Sequence, residues 1–230
     1  MQRRQTVHPQ RLCLDHVEVR SWVIPCSARN IRADFEDHHG VLREKSHPTL
    51  PAVTGVPSGS VRYAGWDPTL GSVIVAPQGT DPAKILTDLT DVNFFLQDLD
   101  PTLFPGIPSS VQVHEGFANE HTKTAPTILA VVLTLLRRHS ASSVVVTGHS
   151  LGVALALLDS VYLPLHLPAG TRVSMVGYGM PRVSNPALAN YVDAMRSSDS
   201  AAITVTHINN KKDLIPIVPG RFMGFAHPTG

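Results

Sequence analysis

Thr147-Gly148-His149-Ser150-Leu151-Gly152 decides the fold of this chain, because of what stands on either side of it. Upstream, Ser143-Val144-Val145-Val146-Thr147 is a short β-branched run that predicts a buried strand. Downstream, Leu151-Gly152-Val153-Ala154-Leu155-Ala156-Leu157-Leu158 is apolar and rich in alanine and leucine, which predicts a helix. A serine on a tight strand-to-helix turn projects its hydroxyl out of the sheet, and flanking glycines permit the crowded backbone. The following helix aims its first N–H groups and the positive end of its dipole at any oxyanion forming there. Ser150 is the candidate nucleophile.

Outward from the elbow, the pattern alternates. A helix over 127–138 is expected, with Leu129, Val132, Leu133 and Leu136 on one stripe and Thr124-Ala125-Pro126 at its start. Strand 143–147, helix 151–163, strand 172–178, helix 186–196 and strand 202–208 follow. This order predicts an α/β fold with a mainly parallel sheet. Earlier, Val61–Trp66 and Ser72–Ala76 read as strands around the turn Asp67-Pro68-Thr69-Leu70-Gly71. Residues 1–58 are poorly patterned and read as an irregular arm, leaving 59–230 as the folded domain.

Composition narrows the partners. A 230-residue chain with 43% hydrophobic and 16% charged residues can bury a substantial core. The net charge is +1, with no basic cluster beyond Arg3-Arg4, Arg137-Arg138 and Lys211-Lys212, which argues against nucleic acid. No stretch has the length of a membrane span, since Thr127–Leu136 is short and Asp159 interrupts Leu151–Leu165. Met1–Gln10 carries charge but no apolar core follows, so no signal peptide is expected. Cys13 and Cys26 read equally as one disulfide or two thiols.

A serine hydroxyl needs a histidine to take its proton and an acid to orient that histidine. Where the nucleophile precedes acid and histidine in the chain, Asp159, Asp193, Asp199 and Asp213 compete as the acid. Asp159 and Asp193 fall within expected helices and read as solvated or capping groups. Asp213 follows strand 202–208 through a polar loop, where sheet-top functional groups sit. Only His227 comes after it, so the pattern selects Ser150, Asp213 and His227, with His207 a competing base. The oxyanion donors would be Leu151 N–H and a residue of Gln78-Gly79-Thr80-Asp81, which otherwise reads as a plain strand-ending turn.

These residues lie within seven motifs: Val75-Ala76-Pro77-Gln78-Gly79-Thr80, Val113-His114-Glu115-Gly116-Phe117, Gly148-His149-Ser150-Leu151-Gly152, Tyr178-Gly179-Met180-Pro181-Arg182-Val183, Thr206-His207-Ile208, Asp213-Leu214-Ile215-Pro216 and Gly224-Phe225-Ala226-His227. In this order they resemble the fungal class 3 lipases, of the type found in basidiomycetes, over the chain from about Val61 onward. The resemblance implies an α/β-hydrolase fold, triacylglycerol ester hydrolysis without a cofactor, secretion, and a monomer working at a lipid–water interface. It implies that Ser150 is acylated, that His227 is base and then acid, that Asp213 orients it, and that Thr80 and Leu151 bind the oxyanion. It further implies a lid within Pro82–Thr90 whose Ile85, Leu86 and Leu89 touch lipid; the alternative is that these three are core.

Departures from the family pattern are Gln78 in place of arginine, Val153 in place of a smaller residue, and Pro126 within an otherwise continuous helix. The chain ends three residues after His227 and matches poorly before residue 59 beyond Ser21-Trp22 and Cys26, the pattern of a truncated reading frame with a weakly held histidine. His114-Glu115 lacks the second histidine of a zinc motif, because Ala118 stands there; His114 reads as packing behind the site. His38-His39 reads as a solvated pair, His149 as facing away from Ser150, and Tyr178 and Arg182 as structural, the arginine in a buried ion pair. Three functions follow: a lipase, a feruloyl-type or short-chain esterase on the same machinery, and a catalytically impaired homologue that binds lipid.

Overall fold

Runs of valine, isoleucine and threonine become the strands of the structure, a computed structural model that describes residues 53–54, 61–79, 94–197 and 203–229. In chain order the strands are β1 (Val53–Thr54), β2 (Val61–Asp67), β3 (Ser72–Pro77), β4 (Leu96–Asp98), β5 (Gln112–His114), β6 (Ser143–His149), β7 (Arg172–Tyr178) and β8 (Ile203–Ile208). The helices are α1 (Glu115–Arg138), α2 (Leu151–His166) and α3 (Pro186–Ser197). Six strands form one sheet in the order β1-β2-β3-β6-β7-β8. The pairs β1–β2 and β2–β3 are antiparallel, whereas β3–β6, β6–β7 and β7–β8 are parallel. β4 and β5 pair apart as an antiparallel ribbon. This is the mainly parallel α/β sheet predicted from the alternation of strands and helices, as the family resemblance also implies.

The predicted turn at 67–71 forms as expected: Asp67 Oδ1 accepts from Thr69 N at 2.7 Å and Leu70 N at 3.0 Å, and Gly71 supplies a φ of 60°.

α1 begins twelve residues earlier than the Thr124-Ala125-Pro126 reading, at Glu115, with His114 Nδ1 accepting from Gly116 N at 3.1 Å as the cap. Thr124 is not a cap; its hydroxyl donates back to the His121 carbonyl. Pro126 sits in the helix interior, where it removes one backbone donor and crowds the carbonyl of Thr122. Both residues are solvent-exposed, so water can serve the orphaned carbonyl. The buried stripe on the opposite side holds the helix together through Phe117, His121, Thr124, Ala125, Ile128, Val132, Leu135 and Leu136. The expected stripe was thus half correct: Leu129 and Leu133 lie at its margin, only partly buried.

α2 is buried on every side from Gly152 to Leu163, as a helix apolar all round must be. Val153, larger than the family pattern allows, is accommodated from the sheet: a Cβ on Gly177 of β7 would stand 1.9 Å from Val153 Cγ2. The missing side chain at 177 is the space that the valine fills.

Asp159, expected to be solvated or capping, is instead completely buried on α2. Its carboxylate accepts two hydrogen bonds from Arg62 Nη1 of β2, at 2.9 and 2.7 Å, and one from His121 Nε2 of α1 at 3.0 Å. Burial alone would raise the Asp159 pKa, but Arg62 and the His121 hydrogen bond outweigh it and hold the carboxyl below its ordinary range. Burial lowers the His121 pKa as well, toward the neutral ring. Arg62 Nε and Nη2 and His121 Nδ1 have no hydrogen-bond partner, so the cluster joins three elements at a high desolvation cost.

Candidate active site

The parallel register of β6 between β3 and β7 carries the chain to Ser150 at the C-terminal end of the central strands, where α2 starts. Ser150 has φ 56° and ψ −123°, a conformation that costs a non-glycine residue about 1–3 kcal/mol and persists only where the surroundings enforce it. Its N–H donates to Tyr178 O at 3.1 Å, and its carbonyl accepts from Val153 N and Ala154 N to start the helix. The glycines around it are needed because backbone meets backbone here. A Cβ on Gly148 would stand 2.4 Å from Gly152 C, and one on Gly152 would stand 2.4 Å from Pro77 O. A Cβ on Gly79 would stand 2.6 Å from His149 O. The end of β3 is therefore packed directly on the elbow.

Ser150 Oγ is buried and has no hydrogen-bond partner. The Leu151 N–H is in the first turn of α2, where helix geometry provides no acceptor. Thr80 follows Gly79 directly but lies outside the described residues, as do Ile85, Leu86 and Leu89 and the cysteines Cys13 and Cys26.

Asp213 lies in the loop after β8, half-buried, with Oδ1 accepting from Ile215 N at 2.9 Å. Its Oδ2 would be 2.7 Å from a Cβ on Gly179, whose φ of 58° also favours glycine. The carboxylate thus occupies space left by Gly179, just beyond β7 and beside Ser150's backbone anchor Tyr178.

His227 is half-buried, and its Nε2–H donates to Pro216 O at 2.9 Å while Nδ1 is buried without a partner. The structure gathers Ser150, Asp213 and His227 onto one end of the sheet but joins no two of them by a hydrogen bond. Burial lowers the His227 pKa, reinforced by His207, Arg182 and Arg221 and partly offset by the Pro216 carbonyl. The ring is held neutral, the form that a general base requires.

The segment around His227 is not loosely held. Ala226 N donates to Ser184 O at 2.8 Å, and Ser184 bridges in turn to Val113 of β5. Beyond it, Thr229 N and Oγ1 donate to the Asp193 carboxylate at 2.9 to 3.1 Å. Asp193, read from the sequence as solvated or capping, is an anchor for this segment. Ser184 had no signal beyond its place after the Tyr178–Val183 motif.

His207, the competing base, stacks on His227 with ring centroids 5.6 Å apart and approaches Asn209 Nδ2 through Nδ1 at 3.2 Å. Burial, with Arg196, lowers its pKa too. His114 packs behind the site as expected, against Phe94, Phe117 and Phe225. Arg182 departs from the reading: among the described residues it forms no ion pair but donates from Nη1 to the carbonyls of Ile217 and Pro219, clamping the loop that carries Pro216. Among the described residues, no group of three or more histidine, cysteine, aspartate or glutamate side chains is arranged for a metal, and no helix is long and apolar enough to cross a membrane.

Several known proteins are similar to this chain in sequence or fold. Two secreted mono- and diacylglycerol lipases of Malassezia globosa, MDL3 and MDL2, are 32% and 34% identical to the chain over 157 residues, 68% of its length. The chain spans half the length of each. Among solved structures, the Rhizomucor miehei triacylglyceride lipase superposes with a TM-score of 0.74 at 22% identity, covering 96% of this chain and 79% of that one. Lipase II from Rhizopus niveus gives 0.65 at 25% identity, covering 82% and 71%. The model of the family described as lipase (class 3) matches residues 74–223, from β3 through the Asp213 loop, and the chain belongs to that family.

Proposed function

We propose that the protein is a secreted serine carboxylester hydrolase acting on acylglycerols through Ser150, Asp213 and His227. The observation that carries this reading is Ser150 itself: a strained serine between β6 and α2, its hydroxyl buried and unpartnered at the start of a helix. Ser150 Oγ would attack the ester carbonyl as His227 takes its proton. The tetrahedral oxyanion would rest on Leu151 N–H and Thr80, His227 would return the proton to the departing alcohol, and water would then release the acyl group from Ser150. Asp213 would orient the imidazole. This relay requires His227 to exchange the Pro216 carbonyl for Asp213 and Ser150. Residues Ile85, Leu86 and Leu89 would belong to the lid and contact the acyl chains. The names of the Malassezia relatives support mono- and diacylglycerols as the substrate class and secretion as the destination.

The hydrogen bond from His227 to Pro216 favours one second reading, a lipid-binding homologue without turnover. Hydrolysis of p-nitrophenyl butyrate and palmitate separates the two. The enzyme reading expects turnover blocked by a serine-directed phosphonate and reduced about 10,000-fold or more in Ser150→Ala. Folded protein without turnover supports the binding reading; turnover that survives Ser150→Ala refutes the nucleophile assignment.

A further inference from the structure

Four of the seven exposed large hydrophobic side chains among the described residues fall within ten positions of one loop: Leu214 (61% exposed), Ile217 (57%), Phe222 (94%) and Met223 (36%). Single exposed apolar residues are ordinary on a protein surface, but a local concentration of them marks a binding face. The loop also carries charge of one sign. Lys211, Lys212 and Arg221 are all exposed, and Asp213, half-buried and accepting from Ile215 N, is the only acidic residue between Ile208 and the last residue. The net charge of the whole chain is only +1, so this concentration is local.

The loop presents these side chains on a firm backbone. Two single-turn 3-10 helices, Ile215–Ile217 and Arg221–Met223, shape it, and Pro216 and Pro219 are buried beneath. Arg182 holds the Ile217 and Pro219 carbonyls, and Arg182 N donates to Val218 O at 2.9 Å. The Phe222 ring lies across Gly220, where a Cβ would stand 2.3 Å from Cε1. Apolar groups held outward in this way lose little conformational freedom when a surface covers them.

We propose that Lys211–Met223 is a docking ledge for an anionic lipid surface, with Phe222, Ile217 and Leu214 entering the boundary of the acyl chains and the three cations meeting lipid headgroups. An anionic surface is the occupant because it answers both features at once, the apolar side chains and the unbalanced positive charge. The ledge deepens the acylglycerol reading, on which its biological sense rests. It is distinct from the lid expected around residues 82–90, and Pro216, midway along it, holds His227.

The test uses the full chain carrying Ser150→Ala, so that lipid is not consumed, with phosphatidylcholine vesicles with and without phosphatidylglycerol. Binding is read by co-sedimentation. The chain is expected to bind the anionic vesicles more tightly, less so at raised salt. Phe222→Ser is expected to weaken binding to both vesicle types by about tenfold or more. Lys211→Gln with Lys212→Gln is expected to weaken binding to anionic vesicles by about 25-fold, about fivefold per cation, and to leave binding to neutral vesicles unchanged. With Ser150 restored, both sets of variants should hydrolyse p-nitrophenyl butyrate in solution at the parent rate, which shows that the fold is intact. Binding of both variant sets at the parent level overturns the ledge, and so does a Phe222-dependent self-association in analytical ultracentrifugation that accounts for the exposed face. Loss of turnover in the parent overturns the hydrolase reading while leaving the vesicle result to decide the ledge.

Discussion

Asp159→Asn should destabilise the protein severely although the side chain barely changes shape. In the parent, Arg62 Nη1 contacts both carboxylate oxygens, at 2.9 and 2.7 Å, and neither residue reaches solvent. The amide retains one acceptor and sets an NH2 against the guanidinium where Oδ2 stood, so a strong charge-assisted bond becomes a donor facing a donor. Arg62 Nε and Nη2 already lack partners, so nothing else compensates the charge. Breaking a buried pair from one side in this way costs about 3–5 kcal/mol. Against a total stability of about 5–15 kcal/mol this is a large fraction. With a urea m-value of about 2 kcal/mol/M, the unfolding midpoint followed by circular dichroism should fall by about 1.5–2.5 M. Removing both charges, Arg62→Met with Asp159→Leu, should recover most of the loss, because an apolar pair of similar volume needs no desolvation. The remaining deficit should be about 1 kcal/mol, from a His121 Nε2–H left without its acceptor. An Asp159→Asn midpoint within about 0.3 M of the parent would refute the reasoning, since it would mean that water reaches Arg62 in the folded protein.

Two further outcomes follow from the same packing. Burial lowers the pKa of His114, His121, His207 and His227 below the ordinary 6.5, so the unfolded chain takes up protons that the folded one refuses. Stability is therefore full above about pH 6.5 and falls as the pH drops below it, by up to about 1.4 kcal/mol per pH unit for each such histidine; urea midpoints that stay level between about pH 8 and about pH 5 would contradict this. Gly177→Ala places a methyl 1.9 Å from Val153 Cγ2 and 2.9 Å from Met175 Cε, which should cost about 1–3 kcal/mol through overpacking. Val153→Ala should relieve most of that cost, giving a coupling energy of about 1 kcal/mol or more in a double-mutant cycle; strictly additive midpoints would show that the two positions do not share one space.

What the sequence disclosed and what it hid divide along contact distance. The elbow was legible because its determinants are consecutive: a β-branched run, two glycines, a serine and an apolar helix all lie between Ser143 and Leu158. The parallel order of β6, β7 and β8 followed from alternation of the same kind. The start of α1 was misplaced because Thr124 and Pro126 give a strong local start signal, and only the burial of Phe117 and His121 against distant elements overrides it. Asp159 was misread for a related reason: its partners stand 97 and 38 positions away, and nothing beside it in the chain announces either. The departure at Val153 resolves in the same terms, since its compensation is a glycine on another strand. Asp213 and His227 are the intermediate case. Chain order alone could nominate them, but their surroundings could not be foreseen: the Pro216 carbonyl that holds His227, the Arg182 clamp on that loop, and Ser184 and Asp193 fixing either side of the histidine. Candidate residues could thus be nominated where the proposed reaction restricts the choice to few residue types. Their restraints could not, because backbone carbonyls and missing side chains leave no mark of their own in a sequence.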